Sequence, residues 1–358
     1  MYPFEKVICI SLNRRPDRWQ RFQAKLPSDW PLLAPERFAA VDGRRVTPAP
    51  WWTAGSAAWG CYQSHLQILR NCIEDKVDSV LILEDDAVCV DDFTSEAEIF
   101  FGQLPTDWEL VYLGGQHLKQ QLHPPVRVND KVQIPYNVNR NHAYALKSRS
   151  AIKRVCRHLE NRVQWQSGHH FDHHLGTLVE QRKFPVYSPT QWLIGQDEGH
   201  SNIAARHFNR RFFDAGPQSN LFLTDFIMVV GDDPQAAGQL AAELKREGVF
   251  TGTQFLQPLN EEDTAMCSGP SMELNAIFEK HFPKNSSLPT PWEGSLRCQL
   301  AEWLRYMTYT AKSLGTVAGG YAPHFNDLVP LMKSLLGDRL KVVSPRVGRS
   351  LINGNPAD

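Results

Sequence analysis

Val80-Leu81-Ile82-Leu83 is an unbroken apolar run that ends abruptly at three acids, Glu84-Asp85-Asp86. A run with no polar alternation offers no face to water, so it reads as a strand buried on both sides of a sheet. The acids then fall at the carboxyl end of that strand, where open α/β sheets bind their ligands. A nucleoside diphosphate brought there carries charge that a hard divalent cation must offset. One or two carboxylates, with phosphate oxygens and water, suit Mg²⁺ or Mn²⁺. Such a cation also stabilises a departing diphosphate as a Lewis acid. A solvated acidic turn capping the strand is the plainer reading of the same residues, and composition alone does not separate the two.

The flanking segments alternate between strand and helix. Residues 7–12 read as a buried strand running into polar Asn13-Arg14-Arg15-Pro16-Asp17, residues 18–26 as a helix, and residues 37–43 as a short strand ending in an Asp-Gly turn. Between 57 and 74, apolar or thiol side chains at 61, 68, 69, 72 and 73 recur at helical spacing. His65 lies on that inward stripe, four after Cys61 and three before Ile68. Strands at 110–113 and 143–146 and a helix at 148–161 extend the pattern, which predicts an α/β sheet. It dissolves in the basic, Gly/Pro/Ser-containing stretch 206–220, and a second α/β unit follows. That unit opens with a strand at 226–230 and a helix at 233–247 with Gly248 as its C-cap. Further helices are expected at 272–281 and 296–314.

At 358 residues the chain exceeds the size at which a single core stops growing, which predicts two domains, 1–215 and 216–358. Residues 1–215 hold 26 Lys+Arg against 24 Asp+Glu, and residues 216–358 hold 12 against 15. A non-specific duplex-DNA binder usually carries a larger basic excess, although a local stripe can hide in a neutral total. The seven cysteines are odd in number, scattered and without a Cys-x-x-Cys pair, as expected of reduced, packed thiols. No apolar run approaches the ~20 residues of a membrane span, and residues 7–12 are too short for a signal-peptide core. A cytoplasmic protein with no membrane span is expected, in which the Asn285-Ser286-Ser287 sequon is accidental.

Several pieces share an order and spacing with a known family. They are Ile10-Ser11-Leu12-Asn13-Arg14-Arg15-Pro16-Asp17-Arg18, Phe38-Ala39-Ala40-Val41-Asp42-Gly43, Gly60-Cys61-Tyr62-Gln63-Ser64-His65, Leu83-Glu84-Asp85-Asp86-Ala87, His142-Ala143-Tyr144-Ala145-Leu146 and Phe171-Asp172-His173-His174. Together they resemble glycosyltransferase family 25, which includes bacterial lipooligosaccharide and collagen hydroxylysine galactosyltransferases, over roughly residues 5–203. The resemblance implies a GT-A type, Rossmann-like nucleotide-sugar-binding domain, a UDP-sugar donor, Mn²⁺ or Mg²⁺, and inversion at the anomeric carbon. It makes Asp86 the metal ligand, with Glu84 and Asp85 as ribose or sugar contacts or second ligands, Glu84 being counted with the catalytic groups. Leu12, Asn13 and Arg18 would lie by the nucleoside, Asp42 by the uracil or ribose, and His65 near the donor, although a hydrogen-bonded core histidine is the plainer reading of His65. Inverting transfer needs a group to take the acceptor proton, and Asp172 is the candidate, with a helix N-terminal cap as its structural alternative. His200, in the closing motif Gln196-Asp197-Glu198-Gly199-His200-Ser201, is a further candidate metal ligand. Histidines 169, 170, 173 and 174 sit in adjacent pairs that point in different directions, which speaks against a zinc site there.

The second unit more faintly resembles the sulfotransferase-like α/β fold. A phosphate cradle needs small residues, positive potential and free backbone N–H groups, whereas this chain offers Gly231-Asp232-Asp233-Pro234. Two acids repel a sulfated nucleotide and proline removes a donor, so an accessory role without sulfotransferase activity is expected. The sequence therefore predicts a hexosyltransferase acting on a hydroxyl acceptor: a glycan or lipopolysaccharide, a hydroxylated protein, or a hydroxymethylated base in DNA. Lys147, Arg149, Lys153, Arg154 and Arg157, with Arg206, Arg210 and Arg211 beyond, keep the DNA version open. The alternative is a non-catalytic nucleotide-sugar or glycan-binding module.

Overall fold

The computed structural model describes residues 4–120, 123–201, 203–214, 222–252, 293–322 and 324–345. The chain divides into two compact units, Met1–Ser219 and Asn220–Asp358. The helix expected at 272–281, the sequon and Cys267 lie outside the described residues.

The first unit carries strands β1 (Lys6–Ser11), β2 (Glu36–Ala39), β3 (Ser79–Glu84), β4 (Ala87–Cys89), β5 (Leu110–His117), β6 (Val126–Arg127), β7 (Val132–Ile134), β8 (Val138–Lys147), β9 (Val186–Pro189), β10 (Ile194–Gln196), β11 (Gly199–Ser201) and β12 (Arg206–Phe208). Its helices are α1 (Pro16–Lys25), α2 (Ser56–Glu74), α3 (Phe93–Gln103), α4 (Arg149–Glu160) and α5 (Phe171–Glu180). Eight strands form one mixed sheet in the order β2-β1-β3-β8-β5-β9-β7-β6. β1 runs parallel to β2 and β3, and β5 runs parallel to β9. The alternation read from sequence is interrupted by β8, which lies antiparallel between β3 and β5. A two-residue step explains the core. Ile8, Ile10, Val80, Ile82, Leu110, Tyr112, Tyr144 and Leu146 share one face with buried residues of α2, α4 and α5. Their neighbours Val7, Cys9, Leu81, Leu83, Val111 and Leu113 are equally buried, so the sheet is covered on both faces.

Two glycines set the wall beside β1. A side chain on Gly43 would collide with the Ser56 carbonyl, and one on Gly60 with the Val41 carbonyl and the Gly43 amide. The loop after β2 therefore lies directly on the first turns of α2, and Ser64 Oγ accepts the Val41 N–H at 2.9 Å.

The second unit holds a three-stranded parallel sheet, with β13 (Phe226–Val229) between β14 (Ala318–Tyr321) and β15 (Leu340–Val343). Its helices are α6 (Pro234–Arg246), α7 (Glu293–Ser313) and α8 (Phe325–Leu336). Ala237, Ala241 and Leu244 of α6 pack with Val229.

Candidate functional site

β3 delivers Glu84-Asp85-Asp86 to the floor of a cleft of about 230 Å³. Ile10, Leu12, Arg14, Arg18, Asp42, Arg44, Cys61 and Gln196 are among its walls. The acids are not a solvated turn. The Arg18 guanidinium bridges Asp85 Oδ1 at 2.7 Å and Asp86 Oδ2 at 2.8 Å. Asp86 Oδ2 also accepts from Gln196 Nε2 at 3.2 Å, whereas Asp86 Oδ1 is buried with no hydrogen-bond partner. An unpaired buried carboxylate oxygen is costly, and a cation removes that cost. Burial pushes Asp85 up to about 6 and Glu84 up to about 8, with the Asp86 charge adding to both shifts and Arg18 opposing them. The site thus concentrates negative charge that protein cations only partly offset.

Asp42 stands on the opposite wall at the start of a short 3-10 turn, where its carboxylate accepts the Arg44 N–H at 3.1 Å. Arg14 Nε and Arg44 Nη2 each reach Asp42 Oδ2 at 2.9 Å. The Arg44 side-chain bond, with the Arg44 amide and Arg14, holds this carboxyl well below its usual range despite an opposing effect of burial. Arg14 and Arg44 are therefore oriented cations in the cleft.

His65 is wholly buried and forms no part of the cleft surface. Burial lowers its pKa to about 3, so the ring is neutral. Its Nδ1 lies 3.1 Å from Tyr144 Oη, its Nε2 3.4 Å from Glu84 Oε1, and it stacks on Phe171 at 3.9 Å. It stands directly below Glu84. Asn13 is exposed in the turn after β1 and is not among the cleft residues, in contrast to the expected nucleoside contact. His200 is exposed on the β11–β12 hairpin, opposite His207. It borders a smaller recess, about 60 Å³, that shares Arg18, Asp85, Asp86 and Gln196 with the cleft.

Asp172 is in the first turn of α5; the N-cap position itself is His170, but the Asp172 carboxylate also takes up a first-turn N–H, so the capping role stands beside the proposed one. Its Oδ2 accepts the Arg140 N–H and its Oδ1 the His173 N–H, both at 2.9 Å. It lies within electrostatic reach of Glu84 and Cys61 but does not line the cleft. Arg140 is the residue that sequence reasoning missed. At φ +56° it occupies the left-handed region, a strained position for a bulky residue. Its Nη1 donates to Gln196 Oε1 at 2.8 Å and its Nε to Gln116 Oε1 at 3.0 Å, and its guanidinium lies 4.2 Å from the Phe212 ring centroid. The Asp86–Gln196–Arg140 chain thus ends at the backbone that holds Asp172. The polar run Asn139-Arg140-Asn141 before an apolar strand was the available signal.

The closing motif divides its work. Gln196 serves Asp86, while the buried Asp197 carboxylate pairs with Lys25 at 2.6 Å and Arg21 at 2.9 Å on α1.

Over part of its length the chain is similar to glycosyltransferases. Residues 53–161 match the model of glycosyltransferase family 25 (LPS biosynthesis protein), which covers α2, β3 and the acids but not Arg18, Asp42, Asp172 or His200. Two relatives are named as a probable inactive (Bos taurus) and an inactive (Homo sapiens) glycosyltransferase 25 family member 3. Each is 28% identical over 142 residues, covering 34% of this chain. The chain spans 23% of the length of those relatives. Mouse xyloside xylosyltransferase 1 aligns over 52% of this chain and 69% of its own at 11% identity and TM-score 0.27, below the level at which two folds count as alike.

Proposed function

We propose that the chain is a metal-assisted, inverting glycosyltransferase of GT-A type that moves a hexose, galactose or glucose, from a UDP-sugar to a hydroxyl of a glycan or lipopolysaccharide. The observation that carries this reading is the buried, unpartnered Asp86 Oδ1 at the floor of a cleft rimmed by Arg14, Arg18 and Arg44. The donor set of Asp85 and Asp86, all oxygen, fits Mn²⁺ or Mg²⁺, with His200 at the edge of the adjoining recess. When bound, the cation would offset charge on the departing diphosphate. Arg18 must leave at least one carboxylate to admit it, and its guanidinium is then free for a phosphate oxygen. Arg14 and Arg44 would add positive charge for the same diphosphate, and Leu12 and Asp42, which line the cleft, would meet the nucleoside.

As the acceptor oxygen bonds to the anomeric carbon, the diphosphate leaves with the electron pair of the broken bond and the acceptor proton passes to Asp172, which lies behind the cleft surface and would be reached through a water or a local shift. Two backbone N–H donors hold Asp172 in place, and Glu84 orients the sugar from the floor. A DNA acceptor has less support. Arg149 is paired with Asp78 and Arg154 with Glu109, and Lys147 lies over Trp108, so much of the basic α4 face is spent within the protein. The second unit is proposed as an accessory domain, because Asp233 already fills the N-terminus of α6. A non-catalytic nucleotide-sugar-binding module is the second reading, favoured by the relatives' names and by the Arg18 bridge.

A panel of UDP-sugars with Mn²⁺, with release of UDP as the readout, separates the two. Release with one donor, abolished by chelation and by Asp86→Ala, is the expected result. Donor-induced thermal stabilisation without any UDP release would replace it with the binding module.

A further inference from the structure

We propose that Cys61, His65 and Glu84 form a second cation site at the cleft floor, selective for a borderline-soft divalent ion, zinc, and distinct from the all-oxygen pair Asp85 and Asp86. The proposal does not rest on transferase activity. Cys61 and His65 are four residues apart on α2, so they project from one helix face, and β3 brings Glu84 to them. One ligand atom from each of the three lies within 4.8 Å of the other two.

The spacing fits a tetrahedral ion. With bonds of about 2.3 Å to sulfur and about 2.0–2.2 Å to nitrogen or oxygen, neighbouring ligand atoms in such a site stand roughly 3.3–3.7 Å apart. Here His65 Nε2 lies 3.4 Å and Cys61 Sγ 3.9 Å from Glu84 Oε1. Cys61 Sγ lies within 4.8 Å of the histidine ligand nitrogen, so binding requires the thiol to move inward.

Metal binding at Nε2 calls for the tautomer in which Nδ1–H donates to Tyr144 Oη, 3.1 Å away, and Phe171 stacked on the ring fixes its plane. Burial, with the nearby Glu84, Asp172 and Asp86, holds the Cys61 thiol above its usual pKa, so an incoming cation must displace its proton. Cys61 and Glu84 line the cleft while His65 is buried beneath it, so the fourth coordination position faces the cleft. Three protein ligands with an open position are the arrangement of reactive zinc sites, whereas sulfur and imidazole discriminate against Mg²⁺ and Mn²⁺.

The test uses the full chain stripped with a chelator. Zinc is titrated in competition with a chromophoric chelator, and cobalt is added separately while absorption is recorded. The expected result is one zinc per chain with a dissociation constant below about a micromolar and a thiolate-to-cobalt charge-transfer band. Cys61→Ser should weaken zinc binding at least about tenfold and remove the band. Cys89→Ser, at a half-buried thiol in β4, and Asp86→Asn, in the all-oxygen pair, should retain the band. Zinc binding that survives Cys61→Ser, a cobalt complex without the thiolate band, or affinity no tighter than about 10 μM would overturn the assignment. Absence of the band on the unmodified chain overturns the assignment even if a variant fails to fold.

Discussion

The acids after β3 and those after β13 meet opposite fates. After β3, Glu84-Asp85-Asp86 face a cleft, and Asp86 keeps a buried oxygen without a partner. After β13, Asp233 turns its carboxylate onto the Gln235 N–H at 2.9 Å and caps α6, Pro234 fills the first helical position, and Asn326 brackets Gly231 through both its N–H and its carbonyl. The first set of acids has no local backbone duty and the second is occupied by one. An acid at the carboxyl end of a strand makes a site only when its own helix does not need it.

The comparison can be broken most directly at Asp86. Asp86→Ala should reduce UDP release at least about 100-fold, since a cation at a departing diphosphate is worth several kcal/mol, while Asp233→Ala should leave turnover unchanged. Equal losses in both variants would erase the distinction. Arg18→Ala, which removes the only guanidinium bridging Asp85 and Asp86 among the described residues, should tighten Mn²⁺ binding about tenfold in calorimetry without donor. Weaker binding would mean that Arg18 supports the cation instead of competing with it.

A smaller effect concerns pH. Glu84 is raised from 4.5 to about 8, chiefly by burial. Between these values the folded chain holds a proton that the unfolded chain has lost, so this group's contribution to stability falls as pH rises through that window. Glu84→Gln should therefore gain on the natural chain by a few degrees in Tm between about pH 5 and pH 8. A constant difference across that range would show that Glu84 is ionised in the fold. Asp233→Ala should produce the smallest change, a loss of about 1 kcal/mol in urea unfolding of the second unit.

The sheet was legible where strands are fully buried. The runs at 79–83, 110–113 and 143–146 are parts of β3, β5 and β8, and α2 and α4 fall within a residue of expectation. The antiparallel course of β8 was not legible, because a buried strand reads alike in both directions. Short strands such as β4 and β10 pair with each other outside the large sheet and carry too few residues for a period. At the site, the cluster Glu84-Asp85-Asp86 stood out in the sequence, and the family resemblance pointed to Arg18 and Asp42, which line the same cleft. Arg140 could not, since its role depends on a left-handed backbone and on Gln196, 56 residues away.

The central claim is that the acids after β3, and not those after β13, serve a metal-bound nucleotide. UDP binding by calorimetry, with Mn²⁺ and with chelator, tests it without knowledge of sugar or acceptor. Binding that requires Mn²⁺, disappears in Asp86→Ala and is intact in Asp233→Ala is the predicted result. UDP binding of equal strength in chelator, or unchanged in Asp86→Ala, would contradict it.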